Sequence, residues 1–306
     1  DERAQAAETA AALGLSHHVL ELEEADLAEG LAETVAQGEG LLINGHAVAK
    51  RLLARGLRER GFRAVLTGEG ADEIALGYAF FHTGRRGASV VSDGVHRPLT
   101  GAIPEGMGVL ADALGEVPTF LLAKAGLGAR VGSVLRPEHR AAFAAYKPAE
   151  AILQGLDLPA LRAMGPARRS QQLWLRLGLP AYVLRVVGDG AVMPEGVEDR
   201  PAFLDRRVWE VFGAHSEAAL LAGDVEKALL REALRGVLPE AARLRPKQPF
   251  MAPAPRPRGA LLDGFRRRFG DAPLPECFDR VALLALVERW PAFSTGERVA
   301  WESTLW

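Results

Sequence analysis

The sequence has a single cysteine, Cys277, in 306 residues. One thiol makes neither an intramolecular disulfide nor a cysteine-based metal site, and it sets the expectation of a reducing, cytoplasmic setting. Long apolar runs are lacking too. No stretch approaches the roughly 18–20 residues that a helix needs to cross a bilayer, so a helical membrane protein is not expected. Neither sign of charge dominates: 37 Lys and Arg stand against 39 Asp and Glu, a formal net charge of −2. That balance gives no electrostatic footing for nucleic acid or an anionic membrane. What is present is core-forming material, 48% hydrophobic against 25% charged. This is too apolar for a disordered protein, and the length suits two domains or one large one. The chain opens at Asp1 inside an Ala- and Glu-rich stretch with no capping residue ahead of it, so a piece of a longer protein is expected.

Helix and strand alternate at the start. The patterns predict helices over 1–13, 26–37 and 47–60 and short strands over 18–22 (HVLEL) and 63–67 (RAVLT). Leu27, Leu31 and Val35 recur at four-residue spacing, and Gly14 and Gly61 stand where helices stop. Strands separated by such helices argue for a parallel sheet with crossovers. Residues 84–108 are rich in Gly and Ser and read as a mobile loop or exposed insertion. Further on, helices are predicted over 119–127, 138–145, 159–178, 205–220, 224–237, 259–269 and 278–290, with no strand, and the Pro-rich 245–259 outside any helix.

The richest segment is Gly68-Glu69-Gly70-Ala71-Asp72-Glu73, directly after the second strand. Two glycines allow a turn or a close approach to a ligand, at the carboxyl end of a strand where open α/β sheets bind ligands. Glu69 and Asp72, three apart, share a face if the turn is helical. Crowded carboxylates need a shared cation or proton, which suits a magnesium site beside a general base; a solvated acidic turn is the plain alternative. Lys247, between Pro246 and Pro249, sits on a stiffened loop suited to a point charge against phosphate or an oxyanion, or is simply a solvated basic loop. Glu198, Arg200 and Asp205 are expected to form an ion network beneath the site. The pair His17-His18 and the Arg266-Arg267-Arg268 run read as structural and solvated, with Phe265 and Phe269 turned inward, and the five Trp as core.

Taken in order, these segments resemble the synthetase domain of the asparagine synthetase family, which includes β-lactam synthetases and lasso-peptide cyclases. The family pattern S-G-E-G-[SA]-D-E-x-x-x-G-Y appears over residues 67–78, with Thr67 first and Gly77-Tyr78 last; S-V-E-x-R-x-P-F-L-D appears over 196–205, with Gly196 first and Pro201-Ala202 in place of the x-Pro order; and L-R-x-A, L-P and R-x-K-x-x-F are matched by 230–233, 238–239 and 245–250. The resemblance implies an α/β fold, a truncated doubly wound parallel sheet of the adenine nucleotide alpha-hydrolase type followed by a mostly helical region. Residues 1–85 would be a partial nucleotide-binding part, and 86–306 the helical part that completes the site. It implies ATP-dependent amide formation through an acyl-adenylate, with ATP and Mg2+ required. Carried over, Asp72 is a magnesium ligand, Glu69 the general base for the amine, Lys247 the charge that stabilises the transition states, and Thr67, Gly68 and Gly70 nucleotide contacts. A Glu at position 69, where β-lactam synthetases have Tyr, favours an ammonia-using, asparagine-like reaction.

The chain also departs from the family. The phosphate-binding loop S-G-G-x-D-S has no match, nor has a glutaminase domain with an N-terminal cysteine. This chain alone is therefore expected to hold ATP poorly and to be inactive, and the loop or the glutaminase is expected upstream or on a separate partner chain. Small-molecule substrates, an amino-acid carboxylate and an amine or ammonia, are expected, and a homodimer is an open option. Residues 39–50 (EGLLINGHAVAK) replace a family segment, so Asn44 and His46 either meet a substrate or are ordinary helix-entry residues. Alternatives are a related synthetase of peptide or natural-product biosynthesis, or a non-catalytic split subunit.

Overall fold

The computed structural model describes residues 2–82, 106–223 and 225–306; the stretch expected to be a loop at 84–108 lies outside these as far as residue 105. Helix α1 (Arg3–Ala12) buries none of its residues. Helix α2 (Glu24–Gln37) starts where the Glu23 N–H donates to the Asp26 carboxylate at 2.7 Å, and it buries Leu27, Leu31 and Thr34 at helical spacing. Helix α3 (His46–Glu59) packs on α2 and buries Ala47, Val48, Ala54 and, against type, Arg51. A buried guanidinium stands only when paired: Glu195 lies 2.7 Å and Glu33 2.6 Å from Arg51.

Strand β1 (Ala64–Thr67) follows α3 and pairs in parallel with β2 (Glu198–Pro201), Ala64 opposite Glu198 and Val65 opposite Asp199. This two-stranded sheet is the only one among the described residues, so the expected doubly wound sheet is corrected to a small parallel pair within a mostly helical α/β fold. The segment 18–22 forms no strand. Its Val19 and Leu20 are exposed, and alternation without a neighbour to share the ladder does not make a strand. Conversely, β2 was not expected, because Glu-Asp-Arg-Pro has no apolar alternation; β1 supplies its partner, and pairing overrides propensity.

The remainder is helical, with finer divisions than the sequence suggests. The 159–178 helix is two, Leu158–Ala163 and Pro166–Gly178, because Pro166 starts a helix rather than continuing one. The 205–220 helix likewise divides into Arg206–Gly213 and Glu217–Leu220. A last helix, Thr295–Leu305, opens with a Ser294–Glu297 capping box. No helix among the described residues is long and apolar enough to cross a membrane.

Two apolar clusters form. One joins α2 and α3 to the C-terminal helices around Val48, Phe265 and Trp290; the other gathers Phe80, Phe81, Phe120 and Trp174. Val65 packs against the first and Ile74 belongs to the second. The turn after β1 therefore crosses the seam between two cores, where polar side chains converge without disrupting either.

Candidate active site

Gly70 decides the shape of that turn. Its φ of 92° is left-handed, and a Cβ there would run into Leu204, so only glycine fits. The short helix α4 (Ala71–Ile74) starts beyond it, so Glu69 and Asp72 do not share a helix face as expected but turn toward different partners. The third acidic residue of the motif, Glu73, turns inward. It accepts from the Gly70 N–H at 3.1 Å, the Tyr78 hydroxyl at 2.9 Å and Trp174 Nε1 at 3.3 Å, and burial pushes its carboxyl above the usual range. Glu73 supports the turn. Gly77 is needed for a different reason: a Cβ there would overlap Asp72.

Glu69 faces α3 and β2. Lys50, on α3, donates to Glu69 Oε1 and, at 2.9 Å, to Asp199 Oδ2. The Thr67 hydroxyl donates to Asp199 Oδ1 at 2.6 Å. The three charged side chains are 12%, 18% and 4% exposed for Lys50, Glu69 and Asp199. Burial alone would raise the Glu69 carboxyl, but hydrogen bonding from Lys50 and Thr67 and the charge of Lys50 outweigh it and hold Glu69 below the usual carboxylate range. Glu69 Oε2 is buried and has no hydrogen-bond partner among the described residues.

Asp72 faces the other way. Lys227 Nζ lies 2.9 Å from its Oδ1 and Lys247 Nζ 3.5 Å from its Oδ2. Lys247 also stands over the Tyr78 ring, 5.3 Å from the centroid, and its backbone N–H donates to Glu226 at 3.1 Å. This is no solvated loop. Side by side at the end of β1 stand one ammonium between two carboxylates, an excess of negative charge, and one carboxylate between two ammonium groups, an excess of positive charge.

Magnesium does not fit this arrangement as it stands. Both Asp72 oxygens are engaged by lysines, and no group of three or more His, Cys, Asp or Glu among the described residues is placed to hold a metal. No step below is routed through one. Of the residues expected to contact the nucleotide, Gly68 has open space where a side chain would be; the Gly70 N–H donates to Glu73 and the Thr67 hydroxyl to Asp199, while the contact expected of Thr67 is through its backbone.

The expected Glu198–Arg200–Asp205 network beneath the site is not there. Glu198 and Arg200 pair with each other in the open at 2.9 Å, and Asp205 caps the Arg206–Gly213 helix. Strand alternation explains it: Glu198 and Arg200 point out, and Asp199 between them points in. Lys50, Asp199 and Lys227 are thus the site residues missed from sequence. A lysine on the apolar face of an amphipathic helix was the one available sign, at Lys50; Asp199 stands at an unassigned position of its motif, and Lys227 stands outside every motif.

Asn44 and His46 serve the framework. Asn44 Oδ1 accepts from the Tyr182 hydroxyl at 2.7 Å and the His46 N–H at 3.0 Å. The His46 ring packs edge-on to Phe250, and burial pushes its pKa down to about 4. Beside Tyr182 lies a largely apolar cavity of about 490 Å³ lined by Phe120, Lys124, Trp174, Leu177 and Val186 among others; burial lowers Lys124 to about 8.

Comparison with known proteins agrees with the motifs. The chain is 25% identical over 282 residues to the protein named Amidase chry2 of Gibberella zeae, and 24% identical over 283 residues to Amidase chyE of Penicillium rubens. Each alignment covers 83% of this chain and 41% of the relative, so the chain spans about two fifths of the length of these curated relatives. The family model described as asparagine synthase matches residues 1–306. The chain belongs to the asparagine synthase family.

Proposed function

We propose that the complete protein forms a carbon–nitrogen amide bond by ATP-dependent activation of a carboxylate, in the cytoplasm, with ammonia or another amine as acceptor. The observation that carries this reading is the pair of opposed charge clusters at the end of β1. The positive cluster, Lys227 and Lys247 about Asp72, suits phosphate oxygens and the charge that develops as pyrophosphate leaves. The negative cluster, with its free Glu69 Oε2, suits the proton that an amine must lose when it opens the activated acyl group. ATP, the missing phosphate loop and any partner chain or second copy belong to this proposal, as does Mg2+, whose ligands would have to come in part from the nucleotide's phosphates.

The reaction with aspartate is the first reading, supported by Glu69. A second is favoured by the largely apolar cavity beside Trp174 and Tyr182, which suits the body of an apolar acid; the two relatives are named amidases. The test is the full-length protein with ATP, magnesium, ammonia and a panel of acids from aspartate to aromatic carboxylates, followed by AMP and pyrophosphate release. Amide with matching AMP from one acid class supports the proposal and chooses between the readings; ATP consumption with none overturns it.

A further inference from the structure

Lys50 lies outside every motif of the resemblance, yet among the described residues it is the only charged group joining the candidate base to the second strand. It reaches Glu69 from α3 and Asp199 from β2 with one ammonium, and Asp199 is in turn fixed by Thr67 on β1. Three elements thus meet at one nitrogen. Its bond goes to Oε1 of Glu69 and leaves Oε2 buried and open. An orphaned buried carboxylate oxygen costs free energy unless something arrives to use it. Without Lys50, Glu69 and Asp199 would be two nearly buried carboxylates facing one another, and one would take up a proton.

We infer that Lys50 is a positioning residue for amide formation: with Asp199 and Thr67 it fixes the Glu69 carboxylate so that Oε2 receives the proton of the incoming amine. The assignment rests on the proposed function for its chemistry and on geometry for the hold itself. In the step, the amine lone pair forms the C–N bond. The acyl C–O bond to the adenylate breaks, and its electron pair leaves on AMP. The surplus proton on nitrogen passes to Glu69 Oε2. Lys50 keeps its own three protons throughout. The charged groups facing Glu69 are Lys50 on α3 and Asp199 on β2; the next along the turn, Asp72, is occupied by Lys227 and Lys247. The lowered Glu69 carboxyl agrees with this arrangement.

The test is a carbon-13 NMR titration of the Glu69 carboxyl in the full-length protein, assigned by its loss in Glu69→Gln. Lys50→Met is expected to raise the Glu69 midpoint by about 1–3 pH units, the usual effect of removing an adjacent opposite charge. Lys50→Arg is expected to restore it. Asp199→Asn, which removes a like charge, is expected to move it the opposite way, and it keeps the test decisive if Lys50→Met does not fold. A midpoint unmoved by Lys50→Met, or by Asp199→Asn where the former is unfolded, overturns the hold by Lys50. A midpoint that moves while Glu69→Ala leaves amide formation intact overturns Glu69 as the base, since the base would then be another group, and a wild-type protein that forms no amide overturns the proposed function instead.

Discussion

At the scale of single residues, chemistry is set by which partner each acid finds. Glu69 and Asp72 are three apart in sequence and face surpluses of opposite charge. Lys247→Ala is expected to lower product formation by about 100-fold or more with the melting temperature unchanged within about 2 °C, as read by turnover and calorimetry on the same sample. His46 makes a different prediction. Its folded pKa of about 4 lies below the unfolded 6.5, so the unfolded chain binds the extra proton between these values. The stability due to neutral His46 is then complete above 6.5 and lost as pH falls toward 4, on the order of 3 kcal/mol at most. His46→Phe, which keeps the ring beside Phe250, should flatten that part of the stability–pH curve measured by urea unfolding. The places of Glu69 and Lys247 at the turn after β1 were legible because the family motifs contain them; the roles given to them belong to the proposed function. Asp199 was hidden because its neighbours Glu198 and Arg200 look more like a network, and only the strand's alternation turns it inward.

At the scale of elements, the turn after β1 does most to build the site. Gly70→Ala is expected to destabilise the fold by about 1–3 kcal/mol, because the left-handed φ and the Leu204 contact both oppose a Cβ. Gly68→Ala makes the contrasting case. Its Cβ would meet nothing within 4 Å, so unfolding should be unchanged within about 0.5 kcal/mol while the KM for ATP rises if the nucleotide approaches there. Equal stability losses in the two variants, read by denaturant midpoints, would contradict this division of roles. The helices were largely legible from periodicity and caps, and so was β1. The sheet was not: β2 exists through its pairing with β1 across more than a hundred residues, and no local pattern announces such a partner.

At the scale of the whole molecule, two apolar cores meet along a seam, and the candidate active site occupies it. Val65 and Ile74, nine residues apart, belong to different cores, so the motif between them is stretched over a boundary that composition alone does not reveal. Because no segment of the chain matches the family's phosphate loop, calorimetry on residues 1–306 alone is expected to show weak ATP binding; micromolar affinity would mean that the two lysines suffice. The central claim is that Glu69 takes the amine's proton while a separate positive cluster serves the nucleotide's phosphates. Its most direct test is Glu69→Ala in the full-length protein, assayed in parallel for carboxylate-dependent ATP–pyrophosphate exchange and for amide formation. The account predicts exchange within a few-fold of wild type and amide formation reduced about 100-fold or more; retention of both activities, or their loss in equal measure, would contradict it.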